Sequence, residues 1–157
     1  MRVKWKPLLI SLAIPLAVGG LSALVTRSEM KAFSQLNQPP LSPPAWLFPV
    51  VWSILFLLMG LASYLVFTAE VPDGVTRKAL TVYGIQLGVN FFWSILFFNL
   101  KWYLFSFFWL VLLWALILVT MARFFPIRKT AGWLLTPYLL WVTFAGYLNF
   151  GIYFLNM

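Results

Sequence analysis

Residues 102–122 read WYLFSFFWLVLLWALILVTMA, twenty-one consecutive positions without a charge. At about 1.5 Å per residue, a helix of this length covers the roughly 30 Å hydrocarbon core of a bilayer. A backbone in lipid must satisfy its own hydrogen bonds, and a helix does so within one segment. Four more apolar runs flank this one, at 7–26, 46–69, 79–99 and 131–155. The chain is therefore predicted to be an all-α membrane protein, a five-transmembrane-helix bundle forming one domain over 1–157.

Composition agrees. Of 157 residues, 63% are hydrophobic and 9% charged, against about 25% charged in a soluble domain. There is no Cys and no His, which removes thiol chemistry and imidazole ligation of haem or zinc. The net charge of +8 does not point to nucleic acid, because the basic residues stand singly at segment ends, where they meet lipid phosphate. The first run, behind Arg2, Lys4 and Lys6, is long for a signal peptide and shows no clear small-x-small cleavage site before Arg27, so it is read as a retained helix. The N-terminus and alternate connectors hold Arg2, Lys4, Lys6, Arg77, Lys78, Arg123, Arg128 and Lys129, against Arg27, Lys31 and Lys101 on the other side. This bias predicts a cytoplasmic N-terminus in a cell membrane, by expectation a bacterial one.

Several local features stand out along the chain. Pro15 should kink or loosen the first helix, and Gly19, Gly20, Ser22 and Ala23 give it a small-residue face. In the 27–44 connector, residues 28–36 suit a short interfacial helix with Met30, Phe33 and Leu36 on one side. Pro39, Pro40, Pro43 and Pro44 then force an extended path that is either a lid or a stiff linker. Glu70-Val71-Pro72-Asp73-Gly74 reads as a turn. Gly84 and Gly88 share one face of the third helix at the spacing that lets two helices touch backbones.

What could carry chemistry is sparse. Glu29, Glu70 and Asp73 all lie in connectors, so no mid-membrane carboxylate is available to couple protons or activate a nucleophile. Gln86, Asn90 and Ser94 recur every four residues and form one polar stripe, with Trp93 and Phe97 beside it. Such a stripe could line a site for a flat, apolar ligand or bond helix to helix at about 0.6 kcal/mol per contact. The spacing fits both. Of nine Trp, Trp5, Trp46, Trp102 and Trp133 fit an interfacial belt, whereas Trp52, Trp93, Trp114 and Trp141 lie deeper.

Four motifs carry a resemblance. They are Pro39-x-x-x-Pro43-Pro44-x-x-x-Phe48-Pro49-x-x-Trp52, Tyr83-x-x-Gln86-Leu87-x-x-Asn90-x-x-Trp93-Ser94-x-x-Phe97-Phe98, Trp133-x-x-x-Pro137-Tyr138-x-x-Trp141, and Phe144-Ala145-x-x-Leu148-Asn149. Together, in this order and on a five-span layout, they resemble the translocator protein family, also called TspO/MBR or tryptophan-rich sensory proteins. The resemblance implies a receptor or transporter binding porphyrins of the protoporphyrin IX type, with sterol-like or synthetic isoquinoline and benzodiazepine-like ligands as further candidates. It implies a pocket inside the bundle, closed by the first connector. It places ligand contacts at Phe33, Pro43, Trp52, Gln86, Asn90, Trp93, Ser94, Phe97, Pro137, Trp141, Ala145 and Leu148. No cofactor, metal or catalytic residue is implied, porphyrin being a ligand. A homodimer would pack through Gly84 and Gly88 of the third helix. Light-dependent porphyrin degradation and ligand-sensing regulation are the alternative functions. The chain departs from the family pattern at Leu41 and Ala45, where an aromatic and a basic residue are common. No basic residue follows Tyr147 or Tyr153, so the sterol motif is incomplete.

Overall fold

A computed structural model describes residues 2–157, all helix and connector, with no strand among them. Five helical stretches are long and apolar enough to cross a membrane: Trp5–Ser34, Leu47–Phe67, Asp73–Asn99, Tyr103–Phe124 and Lys129–Leu155. Their parts are α1 (Trp5–Thr26), a 3₁₀ turn (Arg27–Glu29), α2 (Met30–Ser34), α3 (Leu47–Phe67), α4 (Asp73–Ser94) with a π turn (Ile95–Asn99), α5 (Tyr103–Phe124), α6 (Lys129–Leu134) and α7 (Thr136–Leu155). In the bundle α1 packs on α3, α4 on α5, and α5 on α7, while α6 leans on α3.

Four local features refine the sequence reading. First, α1 continues as helix through Pro15, which is buried. A proline leaves the carbonyl four residues back without its helical donor; here that is Ser11. An added Cβ at Gly60 would lie 2.8 Å from the Ser11 oxygen and 2.9 Å from Leu12 Cα. The bare glycine thus lets α3 come up against the carbonyl that Pro15 frees. Second, Asp73 and Gly74 are helical, with Pro72 as the N-cap at ψ 142°. The proline stops the turn, and Asp73 adds negative charge to the first helical turn, where the helix dipole favours it. Third, the third span widens into a π turn at Ile95–Asn99, closed by the Leu100 N–H on the Ile95 carbonyl at 3.0 Å. The wider turn is secured from outside, since Asn99 Nδ2 donates to the Val25 carbonyl at 3.1 Å. Fourth, the last span breaks between α6 and α7 around Leu135. Pro137 at the start of α7 cannot donate to Trp133, so the ladder restarts there.

The two ends of the bundle differ. Toward the end holding Pro72 and Arg128, Met59, Ala62, Val66, Ala79, Ile117, Phe124 and Ala131 are wholly buried. Gly132 permits this closeness, because an added Cβ would sit 2.5 Å from the Phe125 ring. Toward the other end the helices part, and the 35–46 segment crosses the opening.

Candidate functional site

A cavity of about 700 Å³ fills that parted end, within the usual size of small-molecule sites. One wall is α1, through Leu16, Gly19, Gly20, Ser22, Ala23 and Thr26. An added Cβ at Gly19 would strike the Phe56 ring at 2.6 Å, whereas Gly20 has nothing within 4 Å. The first glycine therefore seats α1 on α3, and the second leaves open space.

Aromatic rings make the rest of the box. Trp52 stacks on Phe56 at 5.6 Å and meets Trp141 edge-on at 6.5 Å. Trp93 stacks on Phe97 at 5.2 Å, nearly parallel. Phe33, from α2, closes over Phe97 and Phe98 at 5.7 and 5.2 Å and touches Phe48 at 6.2 Å. Phe48 in turn lies 5.9 Å from Trp141. The π turn matters here, because it presents both Phe97 and Phe98 to the cavity; such turns recur at functional sites.

Two buried polar networks fix these rings. In one, Asn90 Nδ2 donates to the Tyr138 hydroxyl at 2.7 Å, which donates to Gln86 Oε1 at 2.7 Å. Gln86 Nε2 reaches Met59 Sδ at 3.9 Å. In the other, Trp93 Nε1 and Ser106 Oγ both donate to Asn149 Oδ1, at 3.0 and 3.2 Å, while Asn149 Nδ2 donates to the Tyr103 carbonyl at 2.8 Å. Trp141 Nε1 and Ser22 Oγ are buried without a partner. Both residues line the cavity, and a buried donor left unmade costs about 1–3 kcal/mol. The cavity therefore offers stacking faces to an occupant, with these two unpaired groups covered behind its wall.

The 35–46 segment is held to α7 at several points. The Asn37 N–H donates to Asn156 Oδ1 at 3.1 Å, and Asn156 Nδ2 donates to the Asn37 carbonyl at 2.8 Å. The Tyr147 hydroxyl donates to the Pro40 carbonyl at 2.6 Å. Pro39 fills the notch at Gly151, where an added Cβ would be 2.6 Å from its ring. Leu41, at φ 70°, makes the turn between the proline pairs.

Of the residues expected at the site, Phe33, Trp52, Asn90, Trp93, Ser94, Phe97, Trp141, Ala145 and Leu148 border the cavity. Pro43, Gln86 and Pro137 do not. Gln86 is 1% exposed and bonds helix to helix behind Asn90; Pro137 starts α7; Pro43 belongs to the covering segment. The polar stripe thus splits between its two readings. Sequence reasoning missed Arg27, Met30, Trp46, Phe56, Asn149 and the whole α1 wall. The signal for that wall was the small-residue face of α1, read only as a packing surface. Gly84 and Gly88 are both exposed, and an added Cβ at either meets no atom within 4 Å. They are therefore not packed against another helix of this chain. Trp114 lies in the middle of α5, as expected, but outside this cavity, in an outer groove between α5 and α7 where its Nε1 donates to Thr143 Oγ1 at 2.8 Å.

Comparison with known proteins agrees with this layout. Residues 11–155 match the model of the TspO/MBR family. The chain is 39% identical over 150 residues to the tryptophan-rich protein TspO of Chlorobaculum tepidum, covering 95% of each chain. It is 35% identical over 156 residues to the tryptophan-rich sensory protein of Cereibacter sphaeroides, covering 99% of this chain and 95% of that one. It is 31% identical over 157 residues to the bovine translocator protein, covering 96% and 90%. With five apolar spans and a match over almost its whole length, the chain is an integral, multi-pass membrane protein belonging to the TspO/MBR family.

Proposed function

We propose that this protein is a membrane receptor for porphyrin-type tetrapyrroles, held in the cavity between α1, α3, α4 and α7 beneath the 35–46 segment. The observation that carries the reading is the Trp52–Trp141 corner, two perpendicular indoles 6.5 Å apart, with the Trp141 N–H unpartnered beside them. Perpendicular rings offer a face and an edge to a flat macrocycle, and a turn of the Trp141 ring would bring its covered, unpaired N–H to it. Without His or Cys, binding rests on stacking and hydrogen bonds, so metal-free protoporphyrin should bind at least as well as haem. Titration with quenching of Trp fluorescence tests this. Strong haem binding with no protoporphyrin binding would refute it.

A second reading, light-dependent breakdown of the bound porphyrin, draws on the clustering of oxidisable rings, since Trp52 also lies 6.3 Å from Tyr138. Illumination of the complex separates the two, because an unchanged porphyrin spectrum points to a binder. The exposed Gly84 and Gly88 support a homodimer through α4, where bare backbones can approach closely. The Lys/Arg distribution supports a cytoplasmic N-terminus, and the similarity to bacterial relatives supports a bacterial cell membrane.

A further inference from the structure

Among the described residues, only one that lines the cavity carries a charge. Arg27 follows the last residue of α1, in the 3₁₀ turn, and borders the same space as Ser22, Thr26, Met30 and Phe33. Its guanidinium has no carboxylate partner among the described residues. Glu29, the acid nearest in sequence, is held by Lys101 Nζ at 3.4 Å. Glu70 and Asp73 sit at the opposite end of the bundle. An arginine presents five N–H donors in a planar fork that matches a carboxylate bidentately. Here Arg27 stands just past the end of α1, where a long basic side chain can reach the depth at which the polar end of an amphiphile resides. Below it the lining is largely apolar and aromatic. No carboxylate lines the cavity, so nothing within it repels an anion.

We propose that Arg27 reads an anionic group on the edge of an otherwise apolar ligand, and so selects carboxylate-bearing amphiphiles over neutral molecules of the same shape. The body of the ligand fills the aromatic box, and its acid stays at the membrane surface against the guanidinium. This rests on the cavity being a ligand site and narrows the class of ligand it takes.

The test compares protoporphyrin IX with its dimethyl ester in phosphatidylcholine nanodiscs, read by Trp fluorescence, for the native protein, Arg27→Gln and Arg27→Lys. The quantity of interest is the ratio of acid to ester affinity, which cancels differences that do not depend on the protein. Charge-assisted hydrogen bonds are worth enough to make the native ratio about tenfold larger than that of Arg27→Gln, with Arg27→Lys between. Unchanged ester affinity in Arg27→Gln shows that the variant is folded. An equal ratio in the native protein and Arg27→Gln overturns the proposal. If neither porphyrin binds, the comparison is repeated with dansyl-undecanoic acid and its methyl ester. A ratio that falls in Arg27→Gln then upholds the role of Arg27 while the porphyrin reading fails, and an unchanged ratio overturns both. In nanodiscs containing phosphatidylglycerol the preference should persist. Its loss there would mean that Arg27 holds a lipid headgroup, which also overturns the proposal.

Discussion

Asn156→Ala should loosen the segment that covers the cavity. The side chain of Asn156 makes a reciprocal pair with the backbone of Asn37, at 3.1 and 2.8 Å. Both residues are partly reached by solvent, so each bond contributes toward the low end of the usual range, about 0.5–1 kcal/mol. Losing both shifts the closed-to-open balance by about 1–2 kcal/mol, a factor of roughly 5–30. Two other fasteners remain, the Tyr147–Pro40 bond and the Pro39 ring in the Gly151 notch, so the segment should open more often without detaching from the bundle. Native-state hydrogen exchange reads this directly. Pro39, Pro40, Pro43 and Pro44 have no amide proton, and the Asn37 N–H on Asn156 and the Ser42 N–H on the Pro39 carbonyl serve as reporters. In Asn156→Ala, exchange at Asn37 and Ser42 should quicken about tenfold, while amides in the middle of α3 and α5 stay unchanged. Tyr147→Phe, which removes one bond, should give a smaller increase at Ser42. Unaltered exchange at Asn37 in Asn156→Ala would show that the reciprocal pair does not hold the segment, and the latch argument would fail.

Three further perturbations address the bundle and its cavity. Gly60→Leu should unseat α1 from α3, because even a Cβ there meets Ser11 and Leu12 backbone under 3 Å; a fall of several degrees in the thermal midpoint is expected, and a native midpoint would be fatal to that contact. Asn90→Ala and Trp141→Ala should each weaken protoporphyrin binding by about 1 kcal/mol or more while leaving helix content intact, as titrated fluorescence and circular dichroism would show; native affinity in both would place the ligand elsewhere. Gly84→Leu combined with Gly88→Leu should yield folded monomers by light scattering in detergent, since both positions face open space; unaltered dimers would rule out an interface on that face.

The spans were legible because they rest on one strong signal, uninterrupted apolar length. Their ends were less so. Pro72, Asp73 and Gly74 look like a turn in composition, yet Pro72 is an N-cap and the other two begin α4. The π turn left no trace in sequence, since Ile95–Asn99 has the same apolar character as the helix before it, and an extra residue per turn shows only in hydrogen-bond partners. At the site, the motifs pointed to the aromatic residues, but spacing could not separate Asn90, which borders the cavity, from Gln86, one turn away and fully buried. That difference depends on Tyr138, fifty-two residues beyond Gln86, reaching across to bond with both. Arg27 was read only as an orientation signal, because its place at the cavity mouth follows from the 3₁₀ turn after α1.

One end of this bundle is hollow and the other solid, although apolar residues dominate both. Small residues contribute to the difference. At the solid end Gly60 and Gly132 each admit a neighbour into the space a side chain would fill, Ser11 and Leu12 in one case and Phe125 in the other. At the hollow end Gly19 and Gly151 are filled by Phe56 and Pro39 but Gly20 receives nothing, and the rings of Trp52, Trp93 and Trp141 are tied to their neighbours instead of collapsing inward. Trp93 is anchored by Asn149, and Trp52 by its stack on Phe56. Collapse would break the Trp93–Asn149 bond and leave buried polar groups unpaired, at about 1–3 kcal/mol each. The same side chains that would receive a ligand thus keep the space open for it, so replacing Asn149 should shrink the cavity as well as weaken binding within it.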